Sequence, residues 1–115
     1  MKILYKNKRI EKDFSSEFKK HWKYPEQVKR RLIQLEDLIH SFESLQDILN
    51  YIPLHFHQLI GNRKSEWSLY LWNTGYRVTL IPCDENGEYI LEGDIIAQCK
   101  TIKVVQITEV SNHYE

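Results

Sequence analysis

Apolar residues set the first half of the chain in helical period. Ile10, Phe14, Phe18 and Trp22 recur every four positions and form one helical face, with Lys12, Lys19, Lys20 and Lys23 largely off it. Tyr24-Pro25 interrupts this row, and Pro25 suits the first turn of a second helix, where its missing N–H would have had no partner. Val28, Leu32, Leu35 and Ile39 then make a buried stripe, widened by Ile33 and Leu38, and Arg30, Arg31, Gln34 and Asp37 take the wet side. Two adjacent amphipathic helices predict a helical hairpin. Ser44 followed by Asp47 has the spacing of a short capping box opening one more turn.

After Pro53 the period changes. Residues 55–60, 67–72, 76–83 and 103–110 are short runs rich in aromatic or β-branched residues, which predicts strands. Asn73-Thr74-Gly75 predicts a tight hairpin, and Asp84-Glu85-Asn86-Gly87 a second turn. Residues 88–102 fit either an extra strand or an ordered insertion. Helices followed by strands predict an α+β class, with an N-terminal helical hairpin (residues 1–50 mainly helical) packed on a small antiparallel sheet (residues 51–115). At 115 residues, one core is feasible and a single domain over 1–115 is expected.

Composition adds less than charge distribution. Hydrophobic residues make up 42%, ordinary for a globular domain, and no apolar run approaches the ~18 residues of a membrane span. The opening MKILYKNKR has too short an apolar stretch for a signal peptide, so a cytoplasmic protein without membrane attachment is expected. Cys83 and Cys99 form neither a disulfide framework nor a zinc pattern. Sixteen cations balance sixteen anions. Residues 1–31, however, hold eleven cations and four anions, a net +7, and the remainder is −7. That asymmetry suits a polyanion or an acidic partner helix for the basic segment.

The run His57-Gln58-Leu59-Ile60-Gly61-Asn62-Arg63-Lys64-Ser65-Glu66-Trp67-Ser68-Leu69, followed by Tyr76-Arg77-Val78-Thr79-Leu80, resembles the HigB-type killer proteins of the RelE/ParE toxin superfamily. Arg9 to Phe14 resembles that family's opening helix, and Val105 to Val110 with Asn112-His113-Tyr114 resembles its last strand and terminal residues. The resemblance implies a RelE-like, microbial-ribonuclease-like fold. It also implies a type II toxin-antitoxin system: a ribosome-dependent mRNA endoribonuclease that inhibits translation. The implied partners are a helix-turn-helix antitoxin (HigA-like) in a hetero-oligomer, mRNA on the ribosome, and operator DNA only through the antitoxin. No cofactor is implied. His57 and Arg77 match active-site positions of the family. His113 and Tyr114 fall on its terminal Tyr-His pair in reversed order, Asn112 stands where Asp is common, and Ile60 where several members have Lys. That cation would then come from Arg63 or Lys64, or be absent.

The residue types suit metal-free RNA cleavage, in which the 2′-oxygen attacks the adjacent phosphate. Histidine titrates near neutrality and serves as acid or base. Arginine stays charged and donates two parallel hydrogen bonds to phosphate. On a strand, Arg77 shares a face with Thr79 and Ile81, opposite Tyr76, Val78 and Leu80. His55 and His57 share a face by their spacing, but no third ligand is spaced to complete a metal site. Tyr70 and Trp72, on the face of Ser68, are candidates for stacking on splayed bases, whereas Trp67 goes with Leu69 and Leu71 into the core. The expected catalytic set is therefore His57, Arg77, His113 and Tyr114, with Arg63, Lys64, Tyr70 and Trp72 binding substrate. Two other functions fit the same pattern: a ParE-like inhibitor of DNA gyrase, and a degenerate member that only binds its antitoxin.

Overall fold

The computed structural model describes residues 1–15, 23–63 and 65–112. Strand β1 (Lys2–Tyr5) leads to helix α1 (Lys8–Asp13), whose first turn is capped by the Asn7 side chain accepting from Ile10 N at 2.9 Å. Phe18 and Trp22, expected on that helix, lie outside the described residues. Helix α2 (Glu26–Ser41) follows Pro25, which takes the N-cap position rather than the first turn. Helix α3 (Leu45–Asn50) opens on the expected capping box. There the Asp47 carboxylate accepts from the backbone N–H groups of Glu43 and Ser44.

The second half contributes β2 (His57–Gln58), β3 (Trp67–Leu71), β4 (Tyr76–Cys83), one helical turn α4 (Ile95–Gln98) and β5 (Val104–Asn112). The fold is α+β, with a five-stranded sheet in the order β1-β5-β4-β3-β2. This sheet is mixed rather than antiparallel, because β1 pairs with β5 in parallel register, Ile3 opposite Val105. Residues 1–50 are thus not all helical. Ile3-Leu4-Tyr5 is too short a run for its period to be read, and only pairing with the last strand defines it as a strand. Residues 88–102 combine both anticipated forms: Tyr89 bridges to Cys83, and Ile95, Cys99 and Ile102 then enter the core around α4. Of the predicted strands, 55–60 shrank most. Pro53 sits in a 3-10 turn (Ile52–Leu54) and His55 turns left-handed at φ 46°, so only His57 and Gln58 pair.

The stripe Val28, Leu32, Leu35 and Ile39 packs into one core with Leu69, Leu71, Val78, Leu80, Val105 and Ile107. Burying the four α2 side chains is worth about 6–12 kcal/mol. That outweighs the several kcal/mol it takes to bury a charge on the same helix. Lys29 is that charge. It is fully buried, and its Nζ donates to the carbonyls of Lys12 at 3.1 Å and Asp13 at 2.8 Å, the C-terminal end of α1. No helix among the described residues is long and apolar enough to cross a membrane.

Helices cover one face of the sheet, and the other carries the remaining alternate residues. At one end of that second face the turn at residues 84–87 folds over β1. A Cβ on Gly87 would lie 3.2 Å from Leu4 Cδ1, and Gln106 donates to the Tyr89 hydroxyl. The opposite end is left open.

Candidate functional site

Strand register assembles the open end. His57 lies opposite Ser68, Ser68 opposite Thr79, and Thr79 opposite Glu109, giving one polar row across four strands. The next row is Tyr70, Arg77 and Ser111. Two-residue alternation puts both rows on the same face. Here His55, His57, Ser68, Tyr70 and Arg77 line a concavity of about 330 Å³. Strand spacing puts the Cα atoms of His57 and Arg77 on the order of 12 Å apart, so two long side chains can face a group held between them.

Arg77 and Arg63, both on this face, are in different electrical states. Arg77 is half-buried; its Nε donates weakly to Ser111 Oγ at 3.4 Å, and among the described residues no carboxylate is within ion-pair distance. Among the described residues its guanidinium charge is uncompensated. Arg63, delivered by a 3-10 turn (Gly61–Arg63), is bound to two carboxylates. Its Nε donates to Glu66 Oε2 at 2.9 Å, and one terminal nitrogen reaches Glu66 Oε1 at 3.3 Å and Glu109 Oε1 at 3.1 Å. Hydrogen bonding to Arg63 holds the Glu66 carboxyl below the usual glutamate range, and the two carboxylates push the Arg63 guanidinium further up.

A β-bulge makes this pairing possible. Between Thr79 and Leu80 the β4–β5 register slips: Thr79 faces Glu109 but Leu80 faces Ile107, so Thr108 has no cross-strand partner. Bulges re-aim side chains. Thr108 and Glu109 both reach the network as a result, the Thr108 hydroxyl donating to the Thr79 carbonyl at 3.2 Å and lying 3.4 Å from Glu66 Oε1. Beneath it the Thr79 hydroxyl is buried without a hydrogen-bond partner among the described residues.

His57 is exposed, and its ring Nδ1 lies 2.7 Å from the carbonyl oxygen of His55. A carbonyl can only accept, so Nδ1 carries the proton, and in the neutral ring Nε2 keeps its lone pair. The left-handed turn at His55 aims that carbonyl, and the His55 ring meets Tyr70 edge-on at 5.9 Å between centroids. Both histidines therefore line the pocket, but through this turn rather than through alternation along one strand. Among the described residues no three His, Cys, Asp or Glu side chains come together as a metal-binding group.

Of the residues the sequence singled out, His57, Tyr70 and Arg77 come together, and Arg63 stands beside them already paired. Trp72 does not join them. Strand β3 ends at Leu71, so alternation stops there, and the Trp72 ring instead packs under the Arg31 guanidinium of α2, 5.2 Å from its centroid. Lys64, His113 and Tyr114 lie outside the described residues. Sequence reasoning missed Glu109 and Thr108, because an unpaired residue in a bulge leaves no mark in a run that alternates well. Burial, with Asp84 nearby, pushes the Cys83 thiol up to about 11, so it is not a thiolate at neutral pH. A hollow of about 360 Å³ beside Gln58, Trp67 and Ile90 is lined by neither a cation nor a histidine among the described residues. No protein-family model matches this chain, and no curated protein compared with it matches either.

Proposed function

We propose that this chain is a RelE/ParE-type toxin of the HigB kind, a cytoplasmic mRNA endoribonuclease that acts on the ribosome and is neutralised by a helix-turn-helix antitoxin. One observation carries the reading: a histidine whose Nδ1 is held by a backbone carbonyl and an arginine with no carboxylate partner among the described residues line one concavity together with Tyr70. In the reaction, His57 Nε2 takes the 2′-hydroxyl proton as the 2′-oxygen attacks the neighbouring phosphorus. The P–O bond to the 5′-oxygen breaks, leaving a 2′,3′-cyclic phosphate and a 5′-hydroxyl. Arg77 stabilises the charge that accumulates on the phosphorane, where a fixed cation in a partly desolvated site has its largest effect. Tyr70 offers a face for stacking a base splayed from the single strand. The proton for the departing oxygen falls, on the family resemblance, to the His113–Tyr114 pair.

Zero net charge fits a protein that binds free RNA weakly and relies on the ribosome to present the message. The antitoxin would neutralise the protein by covering the Arg77 face or by clamping the basic helical layer. Arg63, tied to two carboxylates, favours a second reading: a member that keeps the fold and binds its antitoxin but no longer cleaves. Inducing the chain alone and mapping mRNA 5′ ends separates the readings. Codon-phased cuts with growth arrest support the ribonuclease. Absence of arrest supports the binding-only member, and DNA-damage induction with intact messages supports a gyrase poison instead.

A further inference from the structure

We propose that Arg63 is the centre of a second anion subsite on the open sheet face, occupied in the resting protein by the Glu109 carboxylate in place of a backbone phosphate of single-stranded RNA. The two carboxylates hold Arg63 differently. Glu66 is three residues away on the same loop and makes two hydrogen bonds, to Nε and to a terminal nitrogen, so it fixes where the guanidinium sits. Glu109 comes from another strand, makes one bond to a terminal nitrogen, and has a side chain 45% exposed. Glu109 can therefore leave for water while Glu66 keeps the arginine in place, and exposed ion pairs of this kind are weak.

Phosphate oxygens suit the vacated nitrogen, since guanidinium binds phosphate and carboxylate in the same geometry. The floor of the site also lacks an acceptor. Thr79 is the cross-strand neighbour of Glu109 on this face, and its buried hydroxyl has no partner among the described residues. The row of Thr79 and Glu109 lies two residues along the strands from that of Arg77 and Ser111, about 7 Å. This separation is close to that of successive phosphates in an extended single strand. The subsite would thus take the phosphate next to the one at Arg77, with Glu109 acting as a built-in competitor. The phosphate identity rests on the RNA reading above, whereas the exchange of anions at Arg63 does not.

The test uses the intact chain, a fluorescent 2′-O-methyl oligouridylate that cannot be cleaved, and a salt titration of binding. Glu109→Gln should bind about three- to tenfold more tightly at low salt, with a log–log salt slope steeper by about 0.7, the value for one more phosphate contact on a single strand. The double variant Arg63→Ala/Glu109→Gln should lose that gain. Glu85→Gln, in the turn beyond the far end of β4, removes the same charge and should gain nothing. Equal gains for the Glu85 and Glu109 variants, a gain that survives loss of Arg63, or no gain at all would overturn the proposal. If no variant binds the oligonucleotide, inorganic phosphate followed by the Arg63 Nε–H resonance separates the two ideas. A shift in Glu109→Gln that is weaker in the wild type keeps the subsite and removes the RNA reading. No shift in either removes the subsite. Thermal melting of each variant checks that it is folded.

Discussion

The helical layer and the open sheet face both carry cations, but the two regions put them to different use. In the helical layer they serve the fold. Lys29 is buried against the end of α1, Arg31 lies over Trp72, Arg30 pairs with Glu26, and Lys23 pairs with the buried Asp13. On the sheet face Arg77 has no described carboxylate to pair with, and Arg63 is held by two. A net +7 over residues 1–31 therefore overstates the charge this layer offers to a partner. The cation best placed for chemistry sits in the acidic part of the chain. Local neutralisation, not charge density along the sequence, separates the two regions.

The largest effect that can break this contrast is on activity. On the ribonuclease proposed above, Arg77→Ala and His57→Ala should each lower message cleavage by about 10²–10⁴-fold, the range for a lost acid-base or charge-stabilising group, and relieve growth arrest. Both positions are accessible, so stability should stay within about 0.5 kcal/mol. If both variants, singly and together, remained fully toxic and folded, the pocket would not be the site. Lys29→Met tests the other region. Removing the buried ammonium leaves the carbonyls of Lys12 and Asp13 without a donor they now share. A loss of about 2–3 kcal/mol in urea unfolding is expected, with cleavage per folded molecule unchanged. A drop in cleavage with no loss of stability would reverse the assignment of roles.

Most of this division was legible in the sequence where regular periodicity or capping chemistry carried it. The stripe from Val28 to Ile39, the Ser44–Asp47 box and the β3–β4 hairpin all follow from local rules, and the hairpin register alone puts Tyr70 across from Arg77. What was not legible depends on residues far apart in the chain. β1 is a strand only because Val104 to Ile107 pair with it. Trp72 leaves the pocket face because the strand ends one residue earlier. Arg63 loses its free charge to Glu109, 46 residues away, through a bulge that alternation hides. The failures are tertiary, and they fall beside the site.

Two smaller changes sharpen the Arg63 side of the comparison. Thr79→Val removes a buried hydroxyl that has no partner among the described residues and keeps the shape of the side chain, so it should be neutral or stabilising by up to about 1 kcal/mol. A loss larger than that in urea unfolding would mean the hydroxyl is satisfied. The smallest effect is a pH dependence. Arg63 holds the folded Glu66 carboxyl below its ordinary range, so the folded state favours the ionised form more than the unfolded chain does. That contribution is fully present above the unfolded value of about 4.3 and is lost as pH falls through the lower folded value. Because Arg63 is 38% exposed, solvent screening limits the effect to below about 1 kcal/mol. Glu66→Gln should accordingly be less stable than wild type at pH 7, and the gap should narrow as pH drops below about 4.3. Urea midpoints at pH 7 and at pH 3 measure both. A gap that stayed constant would show that Glu66 is not the group titrating there, and the pairing of Arg63 would have to rest on Glu109, the carboxylate argued to be exchangeable.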